Sequence, residues 1–230
     1  LGADLSMWDP QVLEFSTRFR VLRYDTRGHG QSSVPLGPYT IPQLAEDVIE
    51  LLDFFGERQV YFCGLSMGGM IGMQLAHDHP DRLHKVVLAS TAARIGSVET
   101  WNPRMDAVRE GGMQAVCKSI LERWFTAPFR LNSPDVVAKI EHVILNTPPE
   151  GYITCCAALR DADLHSLLAT IRIPTLVLSA TYDVATPPAD GQLLAGHIHG
   201  ARYHELAAAH LANIEAAPEF TDEVLRFLTE

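Results

Sequence analysis

Cysteine is scarce in this chain. Four residues, Cys63, Cys117, Cys155 and Cys156, are spread over 230 positions. Their spacing offers no CxxC metal knuckle and no disulfide framework of the kind that staples small secreted domains. Unpaired cysteines fit a reducing compartment, so a cytoplasmic location is expected. Long hydrophobic runs are also absent: no stretch approaches the roughly 18–20 apolar residues of a membrane-spanning helix. Basic residues are in deficit, 18 Lys and Arg against 28 Asp and Glu, for a formal net charge of −10. Such a surface repels phosphate backbones and anionic headgroups, so neither nucleic acid nor membrane is an expected partner. There is no internal repeat and no low-complexity tract.

What is present is the composition of a folded globule. Apolar residues make up 47% and charged residues 20%, in a length that suits one domain with a full core. Short apolar runs alternate with amphipathic stretches, the pattern of an α/β protein with a mostly parallel sheet. The expected strands are Arg20–Tyr24, Val60–Cys63, Lys85–Ala89, Thr175–Ser179 and Arg202–Leu206. The clearest helix runs from Thr40 to Phe55. Thr40 and Gln43 have capping-box spacing, and Pro42 lies in the first turn. Leu44, Val48, Leu51, Leu52 and Phe55 recur at helical period before Gly56 stops the run. Pro218–Leu228 reads as a terminal amphipathic helix. Between about Arg94 and His165 the strand signals vanish. Helical segments at Asn102–Glu110, Gln114–Phe125, Pro134–Leu145 and Tyr152–Arg160 are separated by Gly111-Gly112, Ala127-Pro128 and Pro148-Pro149. This reads as a helical cap, residues 94–165, inserted into an α/β core of residues 1–93 and 166–230. The cap carries eight basic and nine acidic residues, so the acidity belongs to the core.

Gly64-Leu65-Ser66-Met67-Gly68 is a GxSxG motif between the Val60–Cys63 strand and an apolar helical stretch to about His77. Strand, motif and helix in this order define a nucleophile elbow. A chance GxSxG in a Gly-rich turn is the bland alternative, and the flanking elements argue against it. The sharp turn needs small neighbours at Gly64, Gly68 and Gly69. It holds the Ser66 hydroxyl above the sheet edge and aims the Met67 N–H, at the helix N-terminus, where an oxyanion forms. A serine needs a base, and the base needs an orienting acid, in the chain order Ser, acid, His. Of ten histidines, His210 follows the Arg202–Leu206 strand on a loop from which it can reach a neighbouring strand end. Asp183 follows Thr175–Ser179 in the same way. Asp190, its rival, falls in the next helix, and a turn-forming role for Asp183 stays open. The second oxyanion donor is expected on a loop early in the chain, where Leu1-Gly2 is the only candidate left by order.

Asp25-Thr26-Arg27-Gly28-His29-Gly30-Gln31-Ser32 follows a strand and precedes the first long helix. With the elbow, Asp183 and His210, it resembles the α/β-hydrolase fold, with Asp25 and Arg27 as polar braces of a Gly-rich turn and His29 as a structural residue. Leu1 to Pro10, Arg20 to Gly30, Cys63 to Gly69, Thr91 to Gly96, Arg123 to Thr126 and Gly151-Tyr152 resemble the 3-oxoadipate enol-lactonase family, over essentially the whole chain. The resemblance implies hydrolysis of an enol-lactone to 3-oxoadipate in the protocatechuate branch of aromatic breakdown (the β-ketoadipate pathway). Ser66, activated by His210, would attack the lactone carbonyl, with the Met67 and Leu1 N–H groups on the oxyanion. Asp183 would fix the His210 tautomer, and water would release the diacid from the acyl-enzyme. No metal or organic cofactor is required. The implied substrate carries a free carboxylate, so an acidic protein must offer it a local cation. Arg94, Arg104 and Arg123 are the candidates, each with a competing reading as a solvated charge. Trp124 and Trp101 are candidate walls for the lactone ring, each with a competing reading as core.

Other esterases and lactonases, and cofactor-free peroxidase-type relatives, share the same triad. A catalytically silent binding protein of this fold would be expected to have lost a triad member. Hydrolases of this fold carry further strands ahead of the oxyanion loop. A chain that opens on Leu1 is therefore expected to be a fragment of a longer protein, with a gap in its sheet between Arg20–Tyr24 and Val60–Cys63.

Overall fold

The computed structural model describes all 230 residues. A 3₁₀ turn at Leu5–Trp8 leads into α1 (Asp9–Ser16). Gln11 is the one fully buried residue of α1, so this helix shows no apolar stripe and sequence periodicity misses it. Thr40 caps α2 (Ile41–Phe54), its hydroxyl accepting the Gln43 N–H at 3.2 Å. Next come β1 (Val60–Leu65), α3 (Met67–Asp78) and β2 (Leu83–Ala89), a parallel crossover unit. Six helices follow: α4 (Val98–Gly111), α5 (Gln114–Trp124), α6 (Ala127–Asn132), α7 (Pro134–Asn146), α8 (Pro149–Asp161) and the short α9 (His165–Leu168). The chain ends with β3 (Thr175–Ala180), α10 (Pro188–His197), β4 (Arg202–Leu206), α11 (Ala212–Glu215) and α12 (Ala217–Thr229).

The four strands lie in the order β1-β2-β3-β4, all parallel. Val86 to Ala89 and the whole of β3 are buried, because a parallel strand covered on both faces must be apolar throughout. α3 packs on β1 and β2, and α10 on β3 and β4. Lys85 of β2 reaches across to the Phe227 carbonyl of α12 at 2.7 Å. Each strand lies beside its predecessor and all run one way. Their C-terminal ends therefore open on a single edge, where ligands collect in open α/β sheets.

Arg20–Tyr24 is not a strand. Residues 20–25 pair with no neighbour, since a ladder needs a partner about 5 Å away and a cavity of about 620 Å³ is lined by this segment on one side and β1 on the other. Side chains hold the segment instead: Arg23 donates to the Leu5 carbonyl at 3.1 Å and to Asp9 at 2.5 Å. The apolar pattern of a strand is there, without a strand to pair with.

The helices between β2 and β3 meet the rest of the chain through a glycine contact. Gly28 (φ +79°) sits so close to Gly151 of α8 that a Cβ on Gly151 would lie 2.1 Å from the Gly28 carbonyl oxygen. Gly151→Ala is expected to destabilise the protein by about 1–3 kcal/mol, the range for overpacking a tight contact. The urea midpoint should fall with the slope unchanged. An unaltered midpoint would mean that α8 shifts freely and is not seated by this contact.

Candidate active site

Ser66 takes φ 57°, ψ −117° between β1 and α3, a conformation that costs a non-glycine residue about 1–3 kcal/mol. The surroundings enforce it. A Cβ on Gly64 would sit 2.1 Å from the Gly68 carbonyl oxygen, and one on Gly69 would sit 2.5 Å from Thr91. The Ser66 N–H donates to the Ala89 carbonyl of β2 at 2.9 Å, and the Thr91 hydroxyl donates to the Ser66 carbonyl at 2.7 Å. Strand and helix thus touch backbone to backbone, and Met67 becomes the first residue of α3 with its N–H at the positive helix end.

Asp183 and His210 meet across the ends of β3 and β4. His210 Nδ1 lies 2.7 Å from Asp183 Oδ2, and both side chains are buried. Asp183 also accepts the Ala185 N–H at 2.7 Å, the Thr186 N–H at 3.1 Å and the Thr186 hydroxyl at 2.7 Å. Burial pushes the Asp183 carboxyl up, but His210 and Thr186 outweigh it and hold the group below the usual carboxylate range. An ionised Asp183 accepting from Nδ1–H selects the tautomer that leaves Nε2 free as an acceptor. Asp190 stands in the first turn of α10, where burial and the charge of Asp183 raise its pKa. It forms no hydrogen bond or ion pair with His210, which Asp183 takes instead.

Leu1-Gly2 lies against the helices that follow β2. A Cβ on Gly2 would be 3.2 Å from the Tyr152 ring and 3.8 Å from that of Trp124. Buried His29 holds the loop, its Nε2 accepting the Gly2 N–H at 2.8 Å. Leu1 and Met67 both line the cavity beside β1.

The three candidate arginines part company. Arg94 is exposed and lies 3.7 Å from Asp163 on the surface. Arg104 and Arg123 are half-buried and form no ion pair. Burial and the neighbouring charge of Arg104 lower the pKa of the Arg123 guanidinium, while Asp183 and Tyr152 oppose the change. Arg104 lies over Trp101, 5.9 Å from the ring centre. Trp101 is a buried brace whose indole N–H donates to the Ile95 carbonyl at 2.6 Å, whereas Trp124 lies beside the Leu1-Gly2 loop. Burial drives the Cys155 and Cys156 thiols up to about 11 and about 12, which favours the thiol over the thiolate at neutral pH. Sequence reasoning missed Thr186, although a hydroxyl three residues after an aspartate is a legible turn signal.

Burial is the main cause that lowers the His29 pKa to about 3. The unfolded chain takes up a proton near pH 6.5 that folded His29 refuses, so stability is full above that value and declines as pH falls toward 3. Between pH 6.5 and 4.5 this one group is expected to remove about 2 kcal/mol. Urea titrations of the wild type and of His29→Gln at the two pH values check it. Equal pH dependence of both proteins would contradict the assignment.

Residues 1–217 match the family model described as alpha/beta hydrolase fold. A 3-oxoadipate enol-lactonase of Acinetobacter baylyi is 44% identical over 97% of this chain and 84% of its own length. The crystal structure of an enol-lactonase from Burkholderia xenovorans superposes with a TM-score of 0.99 at 52% identity, covering all of this chain and 88% of that one. A thermophilic esterase from Thermogutta terrifontis, solved with malate bound, is 30% identical with a TM-score of 0.93, covering 99% of this chain and 86% of that one. This chain belongs to the α/β-hydrolase fold family, on the branch that includes the 3-oxoadipate enol-lactonases.

Proposed function

We propose that this chain hydrolyses a small enol-lactone bearing a carboxylate, of the 3-oxoadipate type, with Ser66 as nucleophile, His210 as base and Asp183 as orienting acid. One observation carries the reading: the buried Asp183–His210 pair and the Ser66 elbow share a sheet edge beside Arg104 and Arg123, which have no acidic partner. Residues 94–165 act as the cap that supplies this cationic wall.

In the acylation step His210 Nε2 takes the Ser66 proton as Oγ attacks the lactone carbonyl. Met67 N–H, with the nitrogen of Leu1, stabilises the tetrahedral oxyanion. The ring C–O bond breaks and the leaving group departs as an enolate still tethered to the acyl chain. The proton that His210 took from Ser66 passes by way of solvent to the enolate carbon, giving a ketone that no longer closes the ring and leaving the imidazole neutral. His210 then deprotonates a water that attacks the acyl-enzyme, and the proton returns to Ser66 Oγ as the diacid leaves. Throughout, Arg104 and Arg123 hold the carboxylate the substrate brings with it, and Trp124 walls the ring.

Ser66→Ala is expected to abolish loss of the enol-lactone absorbance while leaving the circular dichroism unchanged. Turnover persisting in this variant would overturn the serine mechanism, and turnover of p-nitrophenyl acetate alone by the wild type would move the reading to a simple esterase. Arg123→Gln should raise KM for the enol-lactone by about 10-fold or more, the scale of one charge-assisted hydrogen bond lost. Its effect on a neutral ester should be small. Equal effects on both substrates would remove Arg123 from the carboxylate site.

A further inference from the structure

His210 is gripped on both sides by one short joint between α5 and α6. On its N-terminal side the Ala209 N–H donates to Glu215 Oε2 at 3.0 Å. The same carboxylate accepts the Thr126 N–H at 3.2 Å and, through Oε1, the Thr126 hydroxyl. On its C-terminal side the Leu211 N–H donates to the Trp124 carbonyl at 3.1 Å. Trp124, Phe125 and Thr126 therefore hold the residues just before and just after His210. The joint is itself stiff: Phe125 is fully buried and stacks on Phe129 with ring centres 5.1 Å apart. Thr126 caps α6 by accepting the Phe129 N–H at 3.3 Å, and Arg130 donates to the Phe125 carbonyl at 2.6 Å.

A carboxylate that accepts three donors from two chain segments fixes the distance between those segments more firmly than neutral hydrogen bonds do. One segment here carries His210. The other begins one residue after Arg123 and contains Trp124. We propose that Glu215 is a positioning residue: it locks the α5–α6 joint to the histidine loop, so that seating of the cap and alignment of His210 over Ser66 are one event. The inference rests on His210 being the base of the proposed hydrolysis. Glu215 touches neither the substrate nor the reacting atoms. It acts through Ala209 on the placement of Nε2, to which acylation and deacylation are both sensitive, because a small misplacement of a base slows proton transfer steeply.

The test compares Glu215→Gln, Thr126→Val and the double variant with the wild type, using the enol-lactone as substrate. Active sites are first counted by labelling Ser66 with a fluorophosphonate, so that unfolded protein does not enter kcat. Val224→Ala, a buried truncation in α12, serves as the stability control. Glu215→Gln removes the charge and replaces one of the two acceptor oxygens that serve the three donors with an N–H₂ group. It should lower kcat per labelled site by 10-fold or more, with KM changed by less than 3-fold. Thr126→Val should lower kcat in the same sense, and the double variant should be no slower than Glu215→Gln, because both changes break one link. Val224→Ala should lose thermal stability and keep its kcat per labelled site. Unchanged kcat in folded Glu215→Gln and Thr126→Val would overturn the proposal, as would single losses that multiply in the double variant. Should Glu215→Gln fail to fold, Thr126→Val alone decides. A wild type that turns over the lactone without labelling at Ser66 would instead sink the serine reading itself, and this coupling with it.

Discussion

Everything at the sheet edge depends on the backbone contact between Gly64 and Gly68. The Cα of one and the carbonyl of the other approach so closely that a methyl group on Gly64 would overlap the oxygen at 2.1 Å. No side chain of any kind is compatible with that distance. The contact forces Ser66 into a left-handed conformation, and the strain persists because β1 is locked to β2 on one side and α3 is packed on both strands on the other. A strained residue held by an over-determined frame has no cheaper rotamer or backbone state to relax into. The hydroxyl is thus presented before any ligand arrives.

The rest of the site is held against this fixed point by polar contacts whose burial makes them expensive to lose. Asp183 is surrounded by three donors in addition to His210. Removing any of them leaves a buried carboxylate short of a partner, which is costlier than the mean value of a hydrogen bond. His29 fixes the Leu1-Gly2 loop in a complementary way: a neutral imidazole nitrogen accepts from a backbone N–H in a place where a charged ring would be unaffordable. The helices after β2 are then seated at two distant places, by Gly28 against Gly151 and by the α5–α6 joint against the histidine loop.

Much of this is legible in the residues, and the boundary of legibility has a physical cause. β1, β2, β3 and β4 stand where the apolar runs place them, and the elbow is a local motif whose glycines announce a close approach. Asp183 and His210 follow from strand ends and chain order. Arg20–Tyr24 has the same composition as a true strand and is not one, because strandedness is settled by a neighbour that a pattern of side chains does not encode. Glu215 is invisible for the same reason. Its partners Thr126 and Ala209 are 89 and 6 residues away, and its own helix of four residues has no periodicity to read. Arg94, Arg104 and Arg123 look alike in sequence. Only the fold distinguishes the one that finds Asp163 on the surface from the two that find each other.

That last distinction also bears on the charge of the site. The chain is strongly acidic, yet among charges the half-buried Arg123 feels Arg104 most, with Asp183 second. Asp183 is already committed to His210 and Thr186, so the guanidinium pair keeps an unmet demand for negative charge. A carboxylate on the proposed substrate would meet it. The site therefore keeps room for one anionic group inside a chain whose net charge is strongly negative.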